Sequence, residues 1–324
     1  MAVIRRVLVV VASMLVLITQ AGAQNFPERV VRFINPFPPG GSVDITARIL
    51  AQKLSENTGR QFIVETRAGA GGNVGADSVA KSEPDGYTLL FTAPGPLAVN
   101  QTLYVHPLPF DPIRDFAPIA IFARTPIVLM VNPGVPAENV SQLIDYAKAN
   151  PGKVNFGSAG MGSIPHLSGE LFKSLAQIDI THVPYRGTGP AMADLVGGHI
   201  QMMFDLLPGS LPQINQKTVR GLANAGTRRA AALSDLPTVA EQGLQGFDAS
   251  SWVALVAPAK TPAPVLAKLR AETARAMASP DMVKRLAELG SEVGTADENE
   301  VRAFLEAETL KWAHVIKVSG AKAD

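Results

Sequence analysis

Short β-branched or apolar runs alternate with amphipathic stretches along almost all of this 324-residue chain, and that alternation narrows the possible folds more than any other feature. Strands are expected at residues 30–34, 62–65, 88–92, 119–122, 127–132, 154–156, 180–183, 200–204, 219–223 and 251–257. Between them, apolar residues recur at helical spacing, as with Ile45, Ile49, Leu50 and Leu54, or Leu167, Leu171, Phe172 and Leu175. Such alternation implies an α/β fold of mostly parallel sheets flanked by helices. In open sheets of that kind ligands bind beyond the carboxyl ends of strands, where loops meet helix N-termini.

Two loops rich in glycine and serine occupy that position, at residues 36–44 (PFPPGGSVD) and 157–166 (GSAGMGSIPH). Each presents unencumbered backbone N–H groups and a hydroxyl at a helix N-terminus, where the helix dipole favours negative charge. Two such ends facing one another would clamp a small anion such as a carboxylate. In the first loop Phe37 and Pro39 belong to a rigid turn, Gly40 and Gly41 let a ligand approach the backbone, and Ser42 is expected to cap the helix. In the second, Ser158, Ala159 and Gly162 lead to Ser163 as N-cap, with Pro165 in the first turn. A third loop, 183–190 (VPYRGTGP), carries Pro184, Tyr185, Arg186 and Gly187, with Arg186 suited to a carboxylate and Tyr185 to a pocket wall. Ala93 and Gly95, in the APGP turn after the 88–92 strand, add backbone donors. His166 and Asp205 complete the candidate ligand-binding set, and each also suits a structural role, since a carboxylate at Asp205 would repel an anion.

The N-terminus reads as an export signal: Arg5 and Arg6, an apolar run over 7–18 broken only by Ser13, then Ala21-Gly22-Ala23 as a cleavage site. The run is shorter than the roughly 20 residues that span a bilayer. Cleavage after Ala23 would start the mature chain at Gln24, with no cysteine to carry a lipid anchor. The chain has no cysteine at all, so neither disulfides nor thiolate metal sites are available. Removing Arg5 and Arg6 from 29 basic residues leaves 27 against 28 acidic ones, a balance that gives no support to a nucleic-acid or membrane-surface partner.

Enzyme signatures are missing. There is no G-x-S-x-G elbow, Walker A loop or H-E-x-x-H motif, and no nucleophile–base pair is nominated by spacing. The stretch from Gly69 to Gly75 has its third glycine one place late for a dinucleotide loop. Histidines 106, 166, 182, 199 and 314 show no ligand spacing, so neither a metal nor a cofactor is expected.

Toward the C-terminus, residues 265–278, 282–289 and 298–318 read as packing helices, with Trp312 as a core anchor and Thr295 with Glu298 as a capping box. No linker divides the chain. Two interlobe crossings are expected, near 124–132 and 247–257, giving a discontinuous lobe of 24–123 plus 252–324 and a second lobe of 124–251. Two crossings make a hinge that permits closure on a ligand.

Ordered motifs along nearly the whole mature chain then resemble a known family. They are PFPPGGSVDITAR, RAGAGGNVGAD, PDGYTLLF, NFGSAGMGSIPHLSGELF, VPYRGTGPAMADLVGGHIQMMFD, LPTVAEQG, WVALVAPAKTPAPV and EAETLKWAHVIK. The chain resembles the tripartite tricarboxylate transporter substrate-binding receptors, the TctC or Bug family of bacterial periplasmic proteins. The resemblance implies a two-lobed Venus-flytrap fold, a periplasmic location and a monomer. It also implies a small organic acid as ligand: a di- or tricarboxylate, an aromatic acid or an amino acid. The acid would be held between 37–42, 158–163 and 184–187, then passed to membrane permease subunits or reported to a sensor kinase. The glycines around Gly72 would be structural. Two other readings stay open on sequence: a receptor that serves only signalling, and an exported hydrolase using Ser42 or Ser163.

Overall fold

The computed structural model describes residues 26–323; the expected export signal and its cleavage site lie outside them. In chain order the strands are β1 (Val31–Asn35), β2 (Phe62–Thr66), β3 (Thr88–Thr92), β4 (Phe116–Val131), β5 (Val154–Ser158), β6 (Ile180–Pro184), β7 (Met202–Leu206), β8 (Arg220–Asn224), β9 (Ser250–Pro258) and β10 (Glu292–Thr295). The helices are α1 (Ser42–Thr58), α2 (Asn73–Ala80), α3 (Asn100–Leu103), α4 (Val140–Ala149), α5 (Ile164–Ala176), α6 (Thr188–Gly197), α7 (Leu207–Asn215), α8 (Ala263–Met277), α9 (Pro280–Glu288) and α10 (Glu298–Ser319).

β4 organises the molecule. The strands expected at 119–122 and 127–132 are one 16-residue strand, FAPIAIFARTPIVLMV. Its first part, through Pro126, pairs antiparallel with β9, and β10 joins it alongside Ile121–Arg124. From Ile127 onward it pairs instead with β7 and β8. Pro126 has no N–H to give to a ladder, and it stands where the partners change. The strand order is β2-β1-β3-β9-β4-β7-β5-β6, with β10 and β8 paired to β4 off that path. The expected parallel character holds for β1 with β2 and β3, and for β5 with β6 and β7. Antiparallel pairing enters with β4, β8, β9 and β10, the strands around the join.

Burial explains the elements. β3 (TLLFT) is buried at every position, as a strand covered on both faces must be. Phe33, Phe62, Phe91 and Phe122 pack together under α1, α8 and α9. Phe172 of α5 forms a second aromatic group with Phe204 and Phe247. α10 lies against β4, α3 and α5. The indoles of Trp252 on β9 and Trp312 on α10 both donate to the buried Glu308 carboxylate, at 2.8 and 2.9 Å. Trp312 is thus a core anchor. The expected capping box is not the cap of α10: Asp297 is the N-cap, accepting from Asn299 and Glu300 N–H, while Thr295 donates to the Glu300 carboxylate. Asp297 stands one residue before the helix and closes a tighter ring than Thr295 can.

Candidate ligand cleft

The loop after β1 is built on a side chain that the motif reading passed over. Asp44, in the first turn of α1, accepts Gly40 N–H at 3.1 Å and takes both Nε and Nη2 of Arg48 at 3.0 Å. Asn35, the last residue of β1, accepts Phe37 N–H at 3.1 Å and donates to Asp44 at 3.4 Å. The Arg48 guanidinium holds the Asp44 carboxyl below its ordinary pKa against the opposing effect of burial. Ser42 does not cap the helix: Gly41 is the N-cap, without a side-chain bond, and Ser42 is the first helical residue. Its hydroxyl is left to the cleft.

The loop after β5 is fixed differently. Ser163 is the N-cap of α5, accepting His166 N–H and donating to the Gly160 carbonyl at 2.7 Å. Gly162 N–H donates to His166 Nδ1 at 3.0 Å, which puts the neutral ring's proton on Nε2. His166 stacks on His182 with centroids 3.9 Å apart. Burial, aided by the neighbouring His182, pushes His166 down to about 3; burial alone takes His182 to about 4. Ser158 is fully buried, with Oγ 2.7 Å from His182 Nε2 and accepting Gly160 N–H at 3.1 Å. The 184–188 loop is laced to this one, Tyr185 N–H donating to the Ser158 carbonyl and Gly187 N–H to that of Ala159.

Both loops line one cavity of about 670 Å³. Of the expected residues, Phe37, Pro39, Gly41, Ser42, Ala93, Gly95, Ala159, Gly162 and Ser163 line it. The others do not. Gly40 lies outside the lining and is tied to Asp44. Ser158 and His166 are spent on the loop's internal bonds. Tyr185 donates its hydroxyl to Asp194 at 2.7 Å, and burial together with that contact pushes its pKa up to about 12. Arg186 is exposed and makes no ion pair among the described residues. Pro184 and Gly187 serve the loop backbone, and Thr188 lines the cavity in their place. Asp205 is buried on β7 behind Leu206; it accepts from Ser210 at 3.3 Å, and burial raises its pKa to about 6.

Met161 of the 158–163 loop lines it too, and residues not foreseen from sequence complete the walls: Gly71, Asn100, Leu103, Tyr104, Leu206, Ser251 and Ala323 among them. Gly71 belongs to the glycine run expected to be structural, and Asn100 Nδ2 donates to its carbonyl at 3.1 Å. No described residue lining the cavity carries a charged side chain. Four helix starts, those of α1, α5, α6 and α7, supply lining residues, so peptide dipoles are the groups there that favour negative charge. Leu103 abuts Gly162 across the cleft: a Cβ on Gly162, whose φ is +74°, would overlap Leu103 Cδ2.

The family model described as "Tripartite tricarboxylate transporter family receptor" matches residues 46–321. The chain belongs to that family. This receptor is 37% identical to protein BugT of Bordetella pertussis, over 93% of this chain and 92% of BugT. Among solved structures it is similar to an R. palustris protein with adipate, at 37% identity and TM-score 0.79, covering 92% of this chain and 99% of that one. MatC from Rhodopseudomonas palustris with bound malate matches at 32% identity and TM-score 0.75, covering 90% and 100%. The family is one of periplasmic solute-binding receptors rather than enzymes. The Ser158–His182 pair fits that: it has the spacing of a nucleophile and base, yet Ser158 has no exposed surface.

Proposed function

We propose that this receptor captures a small organic acid between two lobes and delivers it to the membrane subunits of a tripartite transporter. The observation that carries the reading is a cavity with helix N-termini on two sides and no charged lining side chain among the described residues. A carboxylate entering it exchanges water for the backbone N–H groups of Gly41 and Ser42, for those of Met161 and Ile164 on the facing loop, and for the Ser42 hydroxyl. The lobes are 24–123 with 252–324, and 124–251. Their hinge is the partner exchange in β4 at Pro126–Ile127 and the nearby start of β9 at Ser250. Closure follows because the closed state binds the acid better than the open one does. The chain is exported by a leader cleaved after Ala23 and works as a periplasmic monomer. Adipate and malate, held by its structural relatives, make dicarboxylates the first acids to try.

Thermal unfolding of the mature protein against a panel of organic acids tests this. A true ligand at a hundredfold excess over its Kd adds about 2.7 kcal/mol to the folded state, a clear rise in melting temperature. Ser42→Ala with Ser163→Ala should reduce the rise. No shift with any acid, or serine-dependent ester hydrolysis, would overturn the reading.

A further inference from the structure

Residues 321–323, which follow α10, return to the cleft. Gly320, at φ +71°, ends α10 in the left-handed conformation and turns the chain. Val105 N–H then donates to the Ala323 carbonyl at 3.0 Å, and Ala323 N–H donates to the Leu103 carbonyl at 2.9 Å. Tyr104 and Ala323 form an isolated parallel bridge. Ala321 and Ala323 pack with Tyr104 against the main core cluster, and Ala323 reaches the cavity wall.

That wall has a definite chemistry. The Tyr104 hydroxyl points at Gly71, where a Cβ would stand only 2.7 Å away. It donates to no described residue, and burial raises its pKa, so it is a neutral donor available to a ligand. Leu103 beside it meets Gly162 of the facing loop. Ala323, one of the smallest side chains and held in place by two backbone hydrogen bonds, lines the cavity together with these groups.

We propose that residues 321–323 are a specificity element: docked on 103–105, they wall the cavity beside Tyr104 and limit the size of the acid that the receptor accepts. The inference rests on the acid-binding reading above. An acid small enough to leave Ala323 untouched is indifferent to the segment; a larger one meets it. A pocket that gains or loses a methylene-sized volume changes relative affinity by about tenfold or more.

Calorimetry with unbranched dicarboxylates from succinate to suberate, and with benzoate, tests it on the intact mature protein and two variants. Deletion of residues 321–324 should raise affinity for the larger acids about tenfold relative to the smaller ones. Ala323→Leu, which keeps both backbone bonds, should do the reverse and shift preference toward succinate. Melting curves establish that both variants are folded, and Ala323→Leu carries the test if the deletion is not. An unchanged size preference in folded variants overturns this inference alone. An intact protein that binds none of these acids overturns it together with the acid-binding reading.

Discussion

The loop after β1 is pinned by an ion pair, Asp44 with Arg48, whereas the loop after β5 is pinned by two stacked neutral imidazoles and a buried serine. Both hold backbone N–H groups toward the same cavity. Asp44 places a negative charge inside a helix start proposed above to receive an anion, and Arg48 offsets it through two hydrogen bonds. His166 and His182 avoid the problem by burial deep enough that neither takes up a proton near neutral pH. Fixing donors without leaving net charge beside the ligand thus has two solutions in one molecule, and they should fail under different conditions.

The largest expected effect separates the loops by sterics. Gly162→Ala puts a Cβ into Leu103 at a left-handed φ; conformational strain of about 1–2 kcal/mol adds to overpacking of about 1–3 kcal/mol. Acid binding in calorimetry should be lost. Gly40→Ala carries a similar strain at φ +83° but meets nothing within 4 Å, so it should bind within about tenfold of the parent. A reversed order would refute the cross-cleft contact.

Next in size is Asp44→Ala. It leaves Gly40 N–H without its acceptor and Arg48 without its partner, a loss of about 1–3 kcal/mol in urea unfolding. Full stability in the variant would show that the loop is fixed by other means.

Acid should then distinguish the loops. His166 and His182 hold pKa values of about 3 and 4 in the folded protein against an ordinary 6.5, so below 6.5 the unfolded chain binds more protons. Their contribution to stability falls as pH drops from 6.5 toward 4. Asp205, raised to about 6, runs the other way, because the folded state holds its proton where the unfolded chain has lost it. Glu170, raised by burial beside His166, runs the same way as Asp205, but the two histidines carry the larger shifts, so the melting temperature should be lower at pH 5 than at pH 7. His166→Gln should flatten the slope, and a pH-independent melting temperature would refute the neutral-pair account. Asp44, held below its ordinary pKa by Arg48, begins to lose its contribution only as pH falls toward that ordinary value, below the pH 5–7 interval compared.

Smallest is Arg186→Ala. An exposed guanidinium away from the cavity wall should change acid affinity by no more than about twofold. A large loss would place Arg186 on the ligand in the closed state.

These outcomes bear on what the sequence made legible. Strand and helix periods gave most elements, and the proline and glycine patterns located both cleft loops. The period could not show that Arg124, Thr125 and Pro126 continue a strand, because ladder partners supplied by β9 override their turn-like composition. β10 (EVGT) was missed because it is short and only half-buried, and pairs at the edge of β4. In the cleft, residues inside the loop motifs were found, but Tyr104 and Ala323 are neighbours only through tertiary pairing. Ser158, His166 and His182 stand apart in the sequence, and the Ser158–His182 hydrogen bond with the His166–His182 stack depends on β5 lying beside β6.

A crystal structure of the mature protein with an acid chosen by thermal shift tests the central claim most directly. The account predicts a carboxylate oxygen within about 3.2 Å of backbone N–H groups on both loops, Gly41–Ser42 on one and Met161 or Ile164 on the other, with no charged side chain in contact. A carboxylate that reaches only one of the two loops, or is met by an arginine or lysine, would contradict it.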